Sequence, residues 1–114
     1  MKIELNNKRV LVLGLGETGL SALRWLAKKG AVLSVADSRD NPLNMDDLAH
    51  DMPQVAVYTG KFKEQVLLDA ELIVISPGVS LSEPAIQTAI SNGIPVIGDV
   101  ELFAQYRPKN AARQ

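Results

Sequence analysis

An apolar segment that runs into closely spaced glycines and then an amphipathic segment most constrains how this chain can fold. Residues 9–15 read RVLVLGL, a continuous apolar run typical of a strand buried on both faces of a parallel sheet. From Thr18 to Lys29 the apolar residues recur at helical spacing, and Gly30 is suited to end that helix. The pattern predicts a strand, a tight turn and a helix at the start of a layered α/β domain.

Four more apolar runs alternate with helical segments along the rest of the chain. The predicted strands are residues 32–36, 55–58, 71–75 and 95–97. The predicted helices are residues 44–50, 61–68, 82–92 and 99–106, and Ser82 and Asp99 are the expected caps of the last two. Alternating strands and helices favour a mostly parallel sheet covered on both faces, and right-handed crossovers favour a doubly wound, five-stranded sheet of order 3-2-1-4-5.

The composition argues against several classes of function. The chain has 114 residues, a net charge of −1, no cysteine and one histidine, His50. We therefore expect no disulfide, no metal site and no nucleic-acid interface. The polar residues 1–8 and the lack of a long apolar run predict neither a signal peptide nor a membrane span. We expect a monomeric, cytoplasmic domain at residues 1–106, followed by a polar tail or truncated linker at 107–114.

Gly14, Gly16 and Gly19 match the phosphate-binding pattern G-x-G-x-x-G, between a predicted strand and a predicted helix as the pattern requires. Gly14 permits the tight turn, Gly16 lets a pyrophosphate approach the backbone, and Gly19 lets the helix pack closely on the strand. Free N–H groups at the start of the helix would hold the phosphates. The alternative is a tight turn without a ligand.

The ends of two further strands face the same predicted site. Asp37, at an expected exposed strand end, could accept hydrogen bonds from a nucleotide ribose. Arg39 could bind a ribose 2′-phosphate, but the charge of Asp37 opposes this. Gly78, in the turn formed with Ser76 and Pro77, should face the glycine loop. Each of these segments could also be an ordinary turn, cap or surface charge.

Together these segments resemble a known family. The sequences RVLVLGLGETGLSALRWL, ADSR, ELIVISPGVSLSEPAI and GIPVIGDVELF, in this order from about Lys8 to Phe103, are similar to the N-terminal domain of the D-glutamate-adding Mur ligases, the MurD family. The resemblance implies a Rossmann-like domain that holds the UDP end of UDP-N-acetylmuramoyl-L-alanine. It also implies an intact enzyme that joins D-glutamate to this substrate with ATP and magnesium, during peptidoglycan synthesis.

The resemblance assigns roles to individual residues as well. Diphosphate contacts fall on the glycine loop, which comprises Gly14, Leu15, Gly16, Glu17, Thr18 and Gly19. Uracil contacts fall on Asp37, Ser38 and Arg39, and a further contact falls on the turn of Ser76, Pro77 and Gly78. The family's ATP-binding loop does not occur in these 114 residues. We therefore expect the central ATPase and C-terminal domains to be absent, and the chain alone to bind nucleotide without catalysing.

The sequence is compatible with two other functions. An NAD(H)-binding module of a dehydrogenase or a regulator would use the same glycine pattern. Asp37 does not decide the matter, because a carboxylate suits a ribose diol as well as the ring N–H of uracil. A domain of the same fold that binds a protein partner and no small ligand is the remaining alternative.

Overall fold

A parallel sheet with helices on both faces forms the domain, in a computed structural model that describes residues 4–42 and 44–105. The strands are β1 (Arg9–Leu13), β2 (Val32–Asp37), β3 (Ala56–Thr59), β4 (Leu72–Ile75) and β5 (Val96–Gly98). The helices are α1 (Glu17–Lys28), α2 (Met45–Asp51), α3 (Glu64–Leu68), α4 (Pro84–Ser91) and α5 (Asp99–Gln105). All four strand pairings are parallel, in the order β3-β2-β1-β4-β5. The predicted fold class and strand order are confirmed.

Several predicted boundaries and one predicted cap differ from the structure. Strand β1 ends at Leu13 rather than Leu15, because the chain turns at Gly14. Helix α3 begins at Glu64, three residues later than expected. The Ser82 cap is wrong: α4 follows Glu83, no side chain caps it, and the Ser82 hydroxyl is hydrogen-bonded to the Ser80 hydroxyl at 2.7 Å instead. The predicted tail at 107–114 lies outside the described residues.

The sheet separates two apolar layers, and β1 contributes to both. Val10 and Val12 pack with the layer that includes α1, α2 and α5, whereas Leu11 and Leu13 pack with the layer of α3 and α4. Successive strand residues point to opposite faces, so a strand covered on both sides is apolar at every position. This double burial explains the unbroken apolar run in the sequence.

The strand order sets where a ligand can bind. From β1 the chain moves outwards to β2 and β3, then crosses back to β4 and continues outwards to β5. The connections that leave β1 and β4 therefore diverge, and a crevice opens between the carboxyl ends of these neighbouring strands. Within the part of the chain that the structure describes, no helix is long and apolar enough to cross a membrane.

Candidate functional site

The glycine loop turns the chain from β1 into α1, and its three glycines meet different surroundings. Gly14 has a φ of +98°, a backbone conformation that favours glycine. A Cβ at Gly19 would overlap the carbonyl oxygen of Gly14, so α1 can lie this close to the loop only without a side chain there. At Gly16 no atom lies within 4 Å of where a Cβ would be. The backbone at Gly16 therefore borders open space.

The N-terminus of α1 presents unused hydrogen-bond donors next to that space. The Leu20 N–H donates to the Gly16 carbonyl at 2.9 Å, and no side chain caps the helix. The helical geometry leaves the N–H groups of Glu17, Thr18 and Gly19 without intrahelical acceptors. These donors and the helix dipole favour an anion at this position.

Asp37 lies buried beneath the glycine loop, so the expectation of an exposed strand end is wrong. The residue is only 4% exposed, and its Oδ2 accepts the Leu15 N–H at 2.8 Å. Its Oδ1 accepts the Arg39 N–H at 2.9 Å, and the guanidinium of Arg39 donates to Oδ1 from Nε at 2.9 Å and to Oδ2 from Nη2 at 2.7 Å. The carboxylate is covered because the loop after β1 crosses the end of β2.

These four donors determine the charge state of Asp37. The hydrogen bonds from the Arg39 side chain, with further ones from the Leu15 and Arg39 N–H groups, lower the pKa of Asp37 to about 2, although burial opposes this. A carboxylate has about four acceptor positions, and all of them are occupied here. Asp37 therefore fixes the glycine loop and Arg39 in place, while Ser38 and half of the Arg39 side chain stay exposed.

Acid should remove the stabilisation that Asp37 provides. Because the pKa of Asp37 is lowered in the folded state, the contribution is complete above the ordinary value of 3.8 and is lost as the pH falls towards 2. The difference between the two pKa values corresponds to about 2 kcal/mol. Urea unfolding between pH 6 and pH 2.5 measures the loss of folding free energy on acidification. The Asp37→Asn variant has no carboxylate at this position, so it should lose less stability than the parent over the same pH range. An equal loss in the parent and the variant would refute this assignment.

The turn after β4 closes the other side of the crevice. Ser76 is 7% exposed, its N–H donates to the Leu13 carbonyl at 3.0 Å, and its hydroxyl donates to the Gly14 carbonyl at 3.2 Å. Pro77 and Gly78 are exposed, and no atom lies within 4 Å of a Cβ position at Gly78. The turn is thus bonded to the glycine loop by Ser76 and open to a ligand at Gly78.

A cavity of about 440 Å³ lies between the glycine loop, the end of β2 and this turn. That volume suits a small-molecule ligand. Nine of the predicted site residues line it: Gly14, Gly16, Thr18, Asp37, Ser38, Arg39, Ser76, Pro77 and Gly78. We call it the nucleotide cleft below, for the ligand that its donors suit.

Three predicted residues do not line the cleft. Leu15 is fully buried and its N–H is bonded to Asp37, so that N–H is not available to a phosphate. Gly19 packs against Gly14, and the Glu17 side chain is exposed outside the cleft. Gly19 and Glu17 can still contribute N–H groups, because both belong to the first turn of α1.

Phe62 and Val79 line the cleft although sequence reasoning did not select them. Phe62 lies in the loop between β3 and α3, soon after Gly60, whose φ is +90°. An aromatic residue close to a glycine after an edge strand was the available signal for Phe62. Val79 follows Gly78 directly, and its apolar side chain carried no such signal.

The cleft offers a consistent set of chemical groups. Free N–H groups at the start of α1 suit a phosphate, and the Ser38 hydroxyl and the Arg39 guanidinium suit carbonyl oxygens. Phe62 provides an apolar ring for a flat base. Within residues 4–42 and 44–105, no group of three or more His, Cys, Asp or Glu side chains is placed to hold a metal ion. These groups suit a nucleotide with a negatively charged phosphate chain.

Comparison with known sequences shows which protein family this chain belongs to. A family model described as the Mur ligase MurD-like N-terminal domain matches residues 8–98. The chain belongs to this family. Among the relatives of this MurD-like domain are UDP-N-acetylmuramoylalanine–D-glutamate ligases from Methylobacillus flagellatus, 56% identical over 96% of the chain, and from Pasteurella multocida, 44% identical over 96%. The chain spans 24% of the length of each of these two relatives.

Solved structures share the fold of the MurD-like domain at low identity. A pseudomurein peptide ligase type C from Methanothermus fervidus has a TM-score of 0.72 and 22% identity, over 90% of this chain and 21% of that one. The UDP-N-acetylmuramate–alanine ligase from Thermotoga maritima has a TM-score of 0.68 and 16% identity, over 84% and 22%. A shikimate dehydrogenase from Aquifex aeolicus reaches 0.60 with 18% identity, over 88% and 45%. The fold is therefore common to ligases and dehydrogenases and does not decide the ligand.

Proposed function

We propose that this MurD-like domain binds the UDP end of UDP-N-acetylmuramoyl-L-alanine and, on its own, does not catalyse. The observation that carries the proposal is the nucleotide cleft, where the open backbone at Gly16 adjoins the free N-terminus of α1. The names of the relatives, which are D-glutamate ligases acting on UDP-N-acetylmuramoylalanine, support this choice of nucleotide. ATP, magnesium and D-glutamate would then be handled by other parts of an intact ligase.

The diphosphate is placed at the glycine loop by this proposal. The N–H groups of Glu17, Thr18 and Gly19 are the donors that remain once Leu15 is bonded to Asp37. At Gly16 a phosphate oxygen can approach the main chain closely, because no side chain intervenes. The Thr18 side chain is exposed and lines the cleft, so its hydroxyl can add a further donor.

The uracil is placed between Ser38, Arg39 and Phe62. Its edge presents two carbonyl oxygens flanking one N–H, so it needs donors as well as an acceptor. The Ser38 hydroxyl can donate or accept, and the exposed part of Arg39 can donate. Asp37 holds Arg39 in position, and Phe62 offers a ring face on which the base can stack.

Binding of NAD(H) is the second candidate function, because a shikimate dehydrogenase shares the fold of this domain. In dinucleotide-binding domains the carboxylate after the second strand accepts hydrogen bonds from the ribose hydroxyls. The Asp37 carboxylate is already satisfied by Leu15 and Arg39, which disfavours that role. Calorimetric titration of the protein with UDP, NAD and ADP-ribose separates the two candidates.

Gly16→Val should weaken UDP binding about 100-fold or more while the domain stays folded. The backbone at Gly16 is extended, with φ −89°, and space is open around it, so valine fits the fold but occupies the position of a phosphate. Several charge-assisted hydrogen bonds of about 1.5–3 kcal/mol each would be lost. Uridine, which lacks the diphosphate, should lose much less affinity. Chemical-shift titration by NMR follows both ligands on the parent and the variant.

Gly78→Val is the matched control, because it adds the same side chain at another open position on the far side of the cleft. It should reduce the affinity for uridine and UDP to a similar extent. Equal losses of both ligands in Gly16→Val would contradict phosphate binding at the helix start. Undiminished UDP binding by that variant would refute the proposed diphosphate site.

A further inference from the structure

A second cavity, of about 220 Å³, lies beside the edge strand β3, and we call it the side cavity. Its lining consists of Ala36, the continuous stretch 57–63 and Val66. Among the described residues, Phe62 alone lines both the side cavity and the nucleotide cleft. None of the other residues that form it takes part in the proposed nucleotide site, so the side cavity requires its own explanation.

The side cavity exists because α3 covers the sheet incompletely. Ala36 is paired in register with Tyr58, and both therefore face the layer of α3 and α4. Helix α3 has only five residues, about 8 Å of length, whereas the crossover from β3 to β4 must pass two strands. Tyr58, at the uncovered edge, is 45% exposed. The gap is a consequence of the short crossover helix.

The walls of the side cavity suit a small aromatic ring. Ala36 and Val66 provide apolar surface, and Tyr58 and Phe62 provide two rings that form no ring contact in the described part of the chain. Tyr58 is exposed at the sheet edge and Phe62 packs partly against the layer of α3 and α4, so a ligand would contact only the parts of the two rings that line the cavity. A cavity of about 150 Å³ is known to hold benzene, so the side cavity has room for a six-membered ring and a small substituent.

The charged side chains that line the side cavity are both lysines. Lys61 and Lys63 line it and are exposed, and neither forms an ion pair with a carboxylate among residues 4–42 and 44–105. Glu64 comes next in the chain and keeps its negative charge, but it does not line the side cavity, and its Oε2 accepts from the Thr88 hydroxyl on α4 at 3.2 Å. Asp40, near Gly60, also lies outside the lining. A ligand carboxylate in the cavity would therefore meet two ammonium groups and no lining carboxylate.

We propose that the side cavity is a second binding site, which takes a small aromatic carboxylate. The ring packs against Tyr58 and Phe62, and the carboxylate pairs with Lys61 and Lys63. Because Phe62 alone of the described lining residues is shared, we expect the side cavity and the nucleotide cleft to be occupied together. This inference does not depend on which nucleotide the cleft binds.

NMR titration of the 114-residue protein with benzoate tests the proposal. Saturable chemical-shift changes are expected at residues 57–63 and 66, and they should persist at saturating UDP. Benzamide has a similar shape but no charge, and it should bind about three- to tenfold more weakly than benzoate. Shifts centred on residues 14–18 that UDP displaces would mean that benzoate occupies the nucleotide cleft, and would overturn the proposal. Non-saturable shifts, or equal binding of benzamide, would also overturn it. These outcomes are distinct from a failure of UDP to bind, because benzoate is also titrated alone.

A pair of variants tests the role of the lysines. Lys61→Gln with Lys63→Gln should weaken benzoate about three- to tenfold and leave UDP affinity unchanged, since neither lysine lines the nucleotide cleft. Lys61→Arg with Lys63→Arg should retain benzoate binding. The matched control, Lys8→Gln with Lys28→Gln, removes the same charge away from the side cavity and should have little effect. Equal benzoate affinity in the glutamine variant and this control would refute recognition by the two lysines.

Discussion

Gly19→Ala should destabilise the domain by about 3 kcal/mol or more, at the upper end of what overpacking costs. The added Cβ would overlap the Gly14 carbonyl oxygen, a backbone atom that cannot rotate away as a side chain would. The same oxygen accepts the Ser76 hydroxyl, so moving it would also disturb the turn after β4. A domain of this size has roughly 5–15 kcal/mol of stability, so a substantial fraction would be lost. Urea unfolding followed by circular dichroism measures the change.

Gly16→Ala is the matched control for this substitution. It lies three residues earlier in the same loop, has a negative φ and has no atom within 4 Å of the new Cβ. Its stability should stay within about 0.5–1 kcal/mol of the parent. If the two alanine variants unfolded at the same urea concentration, the claim that Gly19 is required for close packing of α1 on the loop would be contradicted.

Asp37→Ala should cost about 3 kcal/mol of folding free energy. The substitution leaves the Leu15 N–H buried without an acceptor, which alone costs about 1–3 kcal/mol. It also removes the partner of the Arg39 guanidinium, although Arg39 is half exposed and can turn to water. UDP affinity should fall as well, because the glycine loop and Arg39 both lose their anchor. Urea unfolding and calorimetric UDP titration measure the two effects.

Ser38→Ala separates a ligand contact from a structural one at the adjacent residue. Because Ser38 is exposed, the folding stability of the Ser38→Ala variant should stay within about 0.5 kcal/mol of the parent, while its affinity for uridine should fall. Asp37→Asn should lie between the two, since its amide oxygen can still accept the Leu15 N–H. An Asp37→Ala variant as stable as Ser38→Ala would contradict the positioning role of Asp37.

The layered fold could be predicted from the sequence because its signals are local. Unbroken apolar runs marked the buried strands, and the glycines at 14, 16 and 19 marked the turn into α1. The caps of short helices were less predictable, because a hydroxyl can bond to a neighbouring side chain instead of to the N–H groups of the helix. The Ser82 hydroxyl bonds to the Ser80 hydroxyl in this way, and α4 begins without a side-chain cap.

The parts of the candidate site that could not be predicted depend on contacts between distant segments. The burial of Asp37 arises because Leu15, 22 residues earlier, lies across the end of β2. Phe62 reaches the nucleotide cleft only because β3 lies beside β2 in the sheet. The position of a residue in the sequence does not reveal which distant loop will cover its side chain. The sequence therefore indicated which residues lie at the site, but not which of them contact a ligand and which hold the loops in place.

The free N–H groups at the start of α1 also bear on how far such a domain can diverge in sequence. Every residue except proline supplies a main-chain N–H, so substitutions at Glu17 or Thr18 alter the surface without deleting these donors. Glycine is demanded for steric reasons only where the backbone itself is crowded or strained, as at Gly14 and Gly19. Anion recognition of this kind tolerates drift at most neighbouring positions, and specificity can evolve in side chains at the other end of the ligand.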